Sequence, residues 1–168
     1  MSRRAYTKGQ KVKNGIFWIC CIAAVGIAAA VIWFVGFTLK LKTEYKKTAQ
    51  EINDAFLKSG PGGTTVSQDG VTLPASQELI DYYDSFLLFN KTVVFNKKTA
   101  EANKESITFN IGGKTLRFTG LEDGSAIHIC WTVSGEEKNY TVRSQITFMQ
   151  LNSYMQKYKR KVEKAEKS

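Results

Sequence analysis

His128 is the single histidine of this chain, and two positions on, in Ala126-Ile127-His128-Ile129-Cys130-Trp131, stands the single cysteine outside its long apolar run. Residues two apart share one face of a strand. An imidazole and a thiol there could begin a nucleophile-base pair or a metal site. Zinc takes three or four ligands, and no CxxC or HxxxH spacing supplies the others. A thiol nucleophile also needs its base oriented by an acid or amide, which a sequence does not locate. The plain reading is a partly exposed strand histidine beside a small buried cysteine. One thiol cannot close a disulfide within the soluble part.

The carboxylates divide in the same way. Asp81 and Asp84 lie on one flank of a helical stretch, where they could pair as acid and base or simply face solvent. Glu122-Asp123 and Glu136-Glu137 fall in turn sequences and read as solvated acids. The segment from Gly120 to Gly124 lacks the alternating Asp/Asn ligands of a calcium loop. Gly112-Gly113 is followed by no helix pattern, so it is no phosphate loop. No catalytic residue, cofactor or metal is expected from these patterns.

The most basic soluble stretch is Lys157-Tyr158-Lys159-Arg160-Lys161-Val162-Glu163-Lys164. Lys157, Lys159, Arg160 and Lys161 form either a solvated helix face or a contact for an anionic surface, lipid or cell-wall polyanion. The formal net charge is +9, but Arg3, Arg4, Lys8, Lys11 and Lys13 supply five of those charges with no acid among residues 1–14. No basic stripe interleaved with aromatics appears, so nucleic acid is not an expected partner. Asn90-Lys91-Thr92 and Asn139-Tyr140-Thr141 match the glycosylation acceptor, at a frequency chance would give.

The element that positions everything else is residues 15–39, twenty-five in a row without a charge. As a helix they reach about 37 Å, enough to cross a hydrocarbon core of about 30 Å with some tilt. Trp18 and Trp33 lie near opposite ends, at headgroup level. Ala28-Ala29-Ala30 resembles a signal-peptide cleavage site, yet the apolar run continues nine residues past it. An uncleaved signal-anchor fits better. Gly26 and Ala30 give small-xxx-small spacing, through which two such helices could pack as a homodimer. Five basic residues before the span against Lys40, Lys42, Lys46 and Lys47 after it favour a cytoplasmic N-terminus and a domain outside.

Beyond the span, Leu41, Tyr45, Ala49, Ile52 and Phe56 mark one face of a helical stalk over residues 40–59. Gly60-Pro61-Gly62-Gly63 stops it, and residues 60–75 read as an exposed loop. Ser76 caps a second helix carrying Leu79, Ile80, Tyr83, Phe86 and Leu87. Thr92-Val93-Val94-Phe95 is a short strand, and residues 96–105 a polar surface connection. Ile107, Phe109 and Ile111 alternate before Gly112-Gly113, and Leu116 and Phe118 after it, as in a β-hairpin. Ile127, Ile129, Trp131 and Val133 share one face of the next strand, and Tyr140-Thr141-Val142 belongs to another. From about Ser144 a helical pattern returns through Leu151, Tyr154, Met155 and Tyr158.

The expected fold is α+β: a transmembrane helix with stalk, then an antiparallel meander of four or five strands with its helices on one face, and a C-terminal helix. The expected folded domain is residues 76–168. In layout the chain resembles single-pass assembly subunits of secretion or cell-envelope complexes. It also resembles type IV pilins and pseudopilins, in which an apolar helix continues into an amphipathic one. Lys13-Asn14-Gly15-Ile16-Phe17 is loosely similar to a prepilin cleavage site, with Cys20 where that family has glutamate. The expected function is a non-catalytic, membrane-anchored interaction or assembly subunit whose partners are membrane lipid and other proteins. A pilin-like subunit, a small tethered enzyme and a ligand-sensing domain are the alternatives.

Overall fold

The computed structural model describes residues 8–89, 92–95, 105–121 and 126–166. It divides into two compact units, Met1–Lys40 and Leu41–Ser168, and helix α1 (Lys8–Ser59) runs from one to the other.

In the first unit the large apolar side chains among the described residues are exposed. Trp18 is 66 % exposed, Ile22 70 %, Ile32 73 % and Trp33 69 %. A core helix of a globular protein would bury at least one such stripe. This helix is long and apolar enough to cross a membrane, and none of its most apolar window is buried. The hydroxyl of Thr38 bonds back to the carbonyls of Phe34 and Val35, at 3.0 and 2.9 Å. That satisfies the group within the helix itself, as an apolar surrounding demands.

In the second unit α1 changes character. Leu41, Tyr45, Ala49, Ile52, Ala55 and Phe56 are buried, at the three- and four-residue steps of one helix face. After a 3-10 turn (Pro61–Gly63) follow β1 (Thr64–Gln68), β2 (Val71–Pro74), α2 (Gln77–Leu88), β3 (Thr92–Phe95), β4 (Ser106–Ile111), β5 (Lys114–Gly120), β6 (Ile127–Val133), β7 (Glu136–Arg143) and α3 (Phe148–Glu166). The strands form one sheet in the order β2-β1-β4-β5-β6-β7-β3, with every neighbouring pair antiparallel.

The sheet has seven strands, two more than the alternating patterns predict. Both extra strands lie in residues 60–75, expected to be loop. The reason is a two-residue hairpin: Gln68 pairs with Val71 across Asp69 and Gly70, whose φ angles are +53° and +77°. Positive φ at both centre positions is the primed geometry that matches strand twist, and Asp-Gly is among its preferred sequences. The hairpin is held by the register Val66 opposite Phe109, which places Val66 in the core.

Register assigns the faces. Ile107 and Phe109 oppose Phe118 and Leu116; these oppose Ile129 and Trp131; Ile127 and Ile129 oppose Val142 and Tyr140. These form a single apolar face, and all three helices lie on it. Phe56 of α1 meets Phe109 edge-on at 5.7 Å. Tyr83 of α2 lies 4.8 Å from Phe109 and 5.4 Å from Phe118. Tyr83 also donates to the Leu151 carbonyl of α3 at 2.9 Å, so the phenol tip is satisfied where the ring is buried. Ser76 caps α2 as expected, accepting from the Leu79 N–H at 3.2 Å. The compact unit therefore starts at Leu41, thirty-five residues before the boundary expected at residue 76.

Candidate functional site

The second face of the sheet holds the groups with most chemical potential. Pairing sets His128 between Thr119 and Thr141, and Cys130 between Arg117 and Asn139. His128 is 7 % exposed, so the partly exposed histidine expected from alternation is a buried one. Its Nε2 lies 3.1 Å from Asn139 Oδ1, which makes Asn139 the orienting amide that sequence reasoning could not locate. Cys130 is buried, as expected. Its Sγ partner, however, is the Thr132 hydroxyl at 3.7 Å, and His128 Nδ1 is buried without a partner. Burial pushes the His128 pKa below its ordinary value, against the opposing pull of Asn139 and Glu137. A nucleophile and its base must meet. Here the thiol and the imidazole each turn to a different neighbour, so the face is a polar layer bonded along and across its strands.

Asp81 and Asp84 each bond to a side-chain amide. Asp81 accepts from Gln77 at 2.7 Å, and Asp84 accepts from Asn53 of α1 at 2.6 Å. Burial raises the Asp84 pKa, with the Asn53 bond acting against it. Glu136 begins β7, beside Lys138, whose ammonium pairs with Glu51 of α1 at 2.7 Å. Glu122, Asp123 and the polar connection expected over residues 96–105 lie outside the described residues, apart from Glu105. Among the described residues no group of three or more His, Cys, Asp and Glu is placed to hold a metal ion.

The basic stretch of α3 splits in two. Lys157 and Arg160 are exposed. Lys159 turns inward, donating to the Gln68 carbonyl at 3.1 Å and lying 3.3 Å from Asp69. Lys161 pairs with Glu78 of α2 at 2.9 Å. Two of the four cations thus fasten α3 to the hairpin and to α2. In the first unit Gly26 and Ala30 lie one turn apart on α1, and a Cβ at Gly26 would meet nothing within 4 Å.

A groove of about 350 Å³ lies between α1 and the end of α2, lined by Lys42, Tyr45, Lys46, Leu87, Leu88 and Phe89 among others. The Tyr45 hydroxyl donates to the Leu87 carbonyl at 3.1 Å and fixes its floor. Leu88 is 52 % and Phe89 72 % exposed at its rim. In sequence only the apolar positions at the end of α2 hinted at this groove, since Leu88 and Phe89 continue a pattern whose other members are core. No protein-family model, no curated protein and no solved structure matches this chain.

Proposed function

We propose that the chain is a single-pass, membrane-anchored subunit, N-terminus cytoplasmic, that presents its α+β domain outside the membrane for assembly with other proteins of a cell-envelope complex, without catalysis of its own. One observation carries this reading: within α1, side chains exposed on all sides give way at Leu41 to a single stripe buried in the domain. Only Lys40 lies between Leu39 and that stripe, and one helix carries both. The Cys130 thiol and the His128 imidazole bond to different neighbours, which supports the non-catalytic side.

The test is a pair of fusions at Ser168, one reporter active only in the cytoplasm and the other only outside. Activity outside, with the full-length product in the membrane fraction, is expected. Cytoplasmic activity reverses the orientation, and a shortened secreted product rejects the anchor.

A pilin-like filament subunit is the second reading, favoured by an apolar helix whose continuation packs on an antiparallel sheet. It requires removal of the residues before Ile16. An intact mass from the membrane fraction decides it.

A further inference from the structure

We propose that the groove between α1 and the end of α2 is a binding site for an anionic phospholipid of the adjoining leaflet, its phosphate held by Lys42 and Lys46 and an acyl chain lying on Leu88 and Phe89. This rests on the membrane-anchor reading above and adds a ligand to it.

Position along the chain supplies the first argument. Lys42 and Lys46 lie three and seven residues beyond Leu39 on the same helix. Both therefore follow the end of the apolar run closely in the chain. The headgroup layer of one leaflet is roughly 5–8 Å thick, and long lysine side chains extend toward it.

The second argument is composition. Lys42 and Lys46 are both exposed, four residues apart, and therefore on one side of α1. Tyr45 holds the Leu87 carbonyl at 3.1 Å, so the end of α2 is fixed beside a residue six positions past Leu39. Leu88 and Phe89, 52 % and 72 % exposed, line the same groove as Lys42 and Lys46. A cationic pair bordered by apolar side chains matches a ligand with a phosphate at one end and hydrocarbon at the other. Leu57 is an equally exposed apolar side chain, 72 %, but it lies eighteen residues from Leu39 and has no place in this site.

The experiment places the photoreactive residue p-benzoylphenylalanine at Phe89, at Ile27 within the apolar segment, or at Leu57. The full chain is reconstituted in vesicles of phosphatidylcholine alone or mixed equally with phosphatidylglycerol, irradiated and weighed intact. Ile27 is expected to give lipid adducts in both vesicles and Leu57 in neither. Phe89 is expected to react with phosphatidylglycerol, about tenfold or more above its yield with the neutral lipid, as two basic side chains acting together imply. Lys42→Gln with Lys46→Gln should remove that preference. Lipid adducts at Ile27 with none at Phe89 would overturn the site and leave the anchor standing. Adducts at neither position would overturn both. Equal yields in the two vesicles, or an adduct with a second copy of the chain, would also overturn the site.

Discussion

The hydroxyls of Thr48 and Tyr140 lie 2.9 Å apart, both residues buried, one on α1 and the other on β7. The Tyr140 ring meets Tyr45 edge-on at 5.3 Å, one turn earlier on α1. The helix that emerges from the apolar segment is therefore joined to the sheet by hydrogen bond and ring contact alike. It is a core element of the domain, with its lysine-rich side outward.

A fragment covering Leu41–Ser168 is accordingly expected to unfold cooperatively without lipid, metal or disulfide, and a fragment starting at Ser76 is not. The shorter one loses Leu41, Tyr45, Ile52 and Phe56 from the core and strips β4 of its partner β1. Within the longer fragment, Tyr140→Phe should cost about 1–2 kcal/mol, since the buried Thr48 hydroxyl loses its Tyr140 partner. Urea melts of the three proteins check this, and a stable fragment from Ser76 would return the helix to the role of a stalk.

The sequence made the apolar faces legible wherever burial follows a simple period. Ile107, Phe109, Leu116 and Phe118 alternate because one side of their hairpin meets helices and the other does not. β1 hides for the opposite reason. Its inward residues are Thr64, Val66 and Gln68, two of them polar, so alternation of hydrophobicity is absent although alternation of burial is complete. Gln68 is 2 % exposed because α3 brings Asn152 to it, at 2.6 Å. That partner lies eighty-four positions away, beyond any local pattern. The Asp69-Gly70 pair was the one local sign of the hairpin. The groove at Leu88 and Phe89 was hidden likewise, being formed by residues more than forty positions apart, as Tyr45 and Leu87 are.

Gly120 tests the seating of α3. A Cβ built there would lie 2.6 Å from Phe148 Cδ1 and 2.8 Å from its Cγ, closer than any ordinary contact. Gly120→Ala should then cost about 1–3 kcal/mol by overpacking. Phe148→Ala, which lacks both the Cγ and the Cδ1 that the new methyl would strike, should make the double variant lose less than the sum of the two single losses. A thermal-melt cycle over the four proteins measures the coupling. Additive effects would show that Phe148 does not rest on Gly120.

The buried His128 predicts a pH dependence. Its pKa in the folded chain is lowered, chiefly by burial, with Arg117 adding to the effect and Asn139 and Glu137 opposing it. As pH falls through the ordinary histidine value, the unfolded chain takes up a proton before the folded one does. Stability therefore falls with pH below about 6.5 and levels off only under the lowered folded value. His128→Gln removes this contribution, so its stability profile between about pH 7.5 and 5 should be flatter than that of the unaltered chain. Parallel profiles would place the imidazole in a less desolvated setting.

Charge reversal on α3 separates surface from scaffold. Lys157→Glu with Arg160→Glu changes two exposed residues, and stability should stay within about 0.5 kcal/mol. Lys159→Glu differs. It removes the donor to the Gln68 carbonyl and puts a carboxylate beside Asp69, so it should cost about 1–3 kcal/mol. If the helix offers an anionic contact, Lys157 and Arg160 carry it, because Lys159 and Lys161 already face Asp69 and Glu78. The fragment covering Leu41–Ser168 should then leave a heparin column at lower salt once Lys157 and Arg160 are reversed, while Lys161→Gln shifts elution less. Screening by added salt should narrow the difference between the variants. If the double reversal elutes with the unaltered fragment, the exposed cations of α3 are a solvated face and nothing more, and the anionic contact must be sought at the other end of the domain, around Lys42 and Lys46.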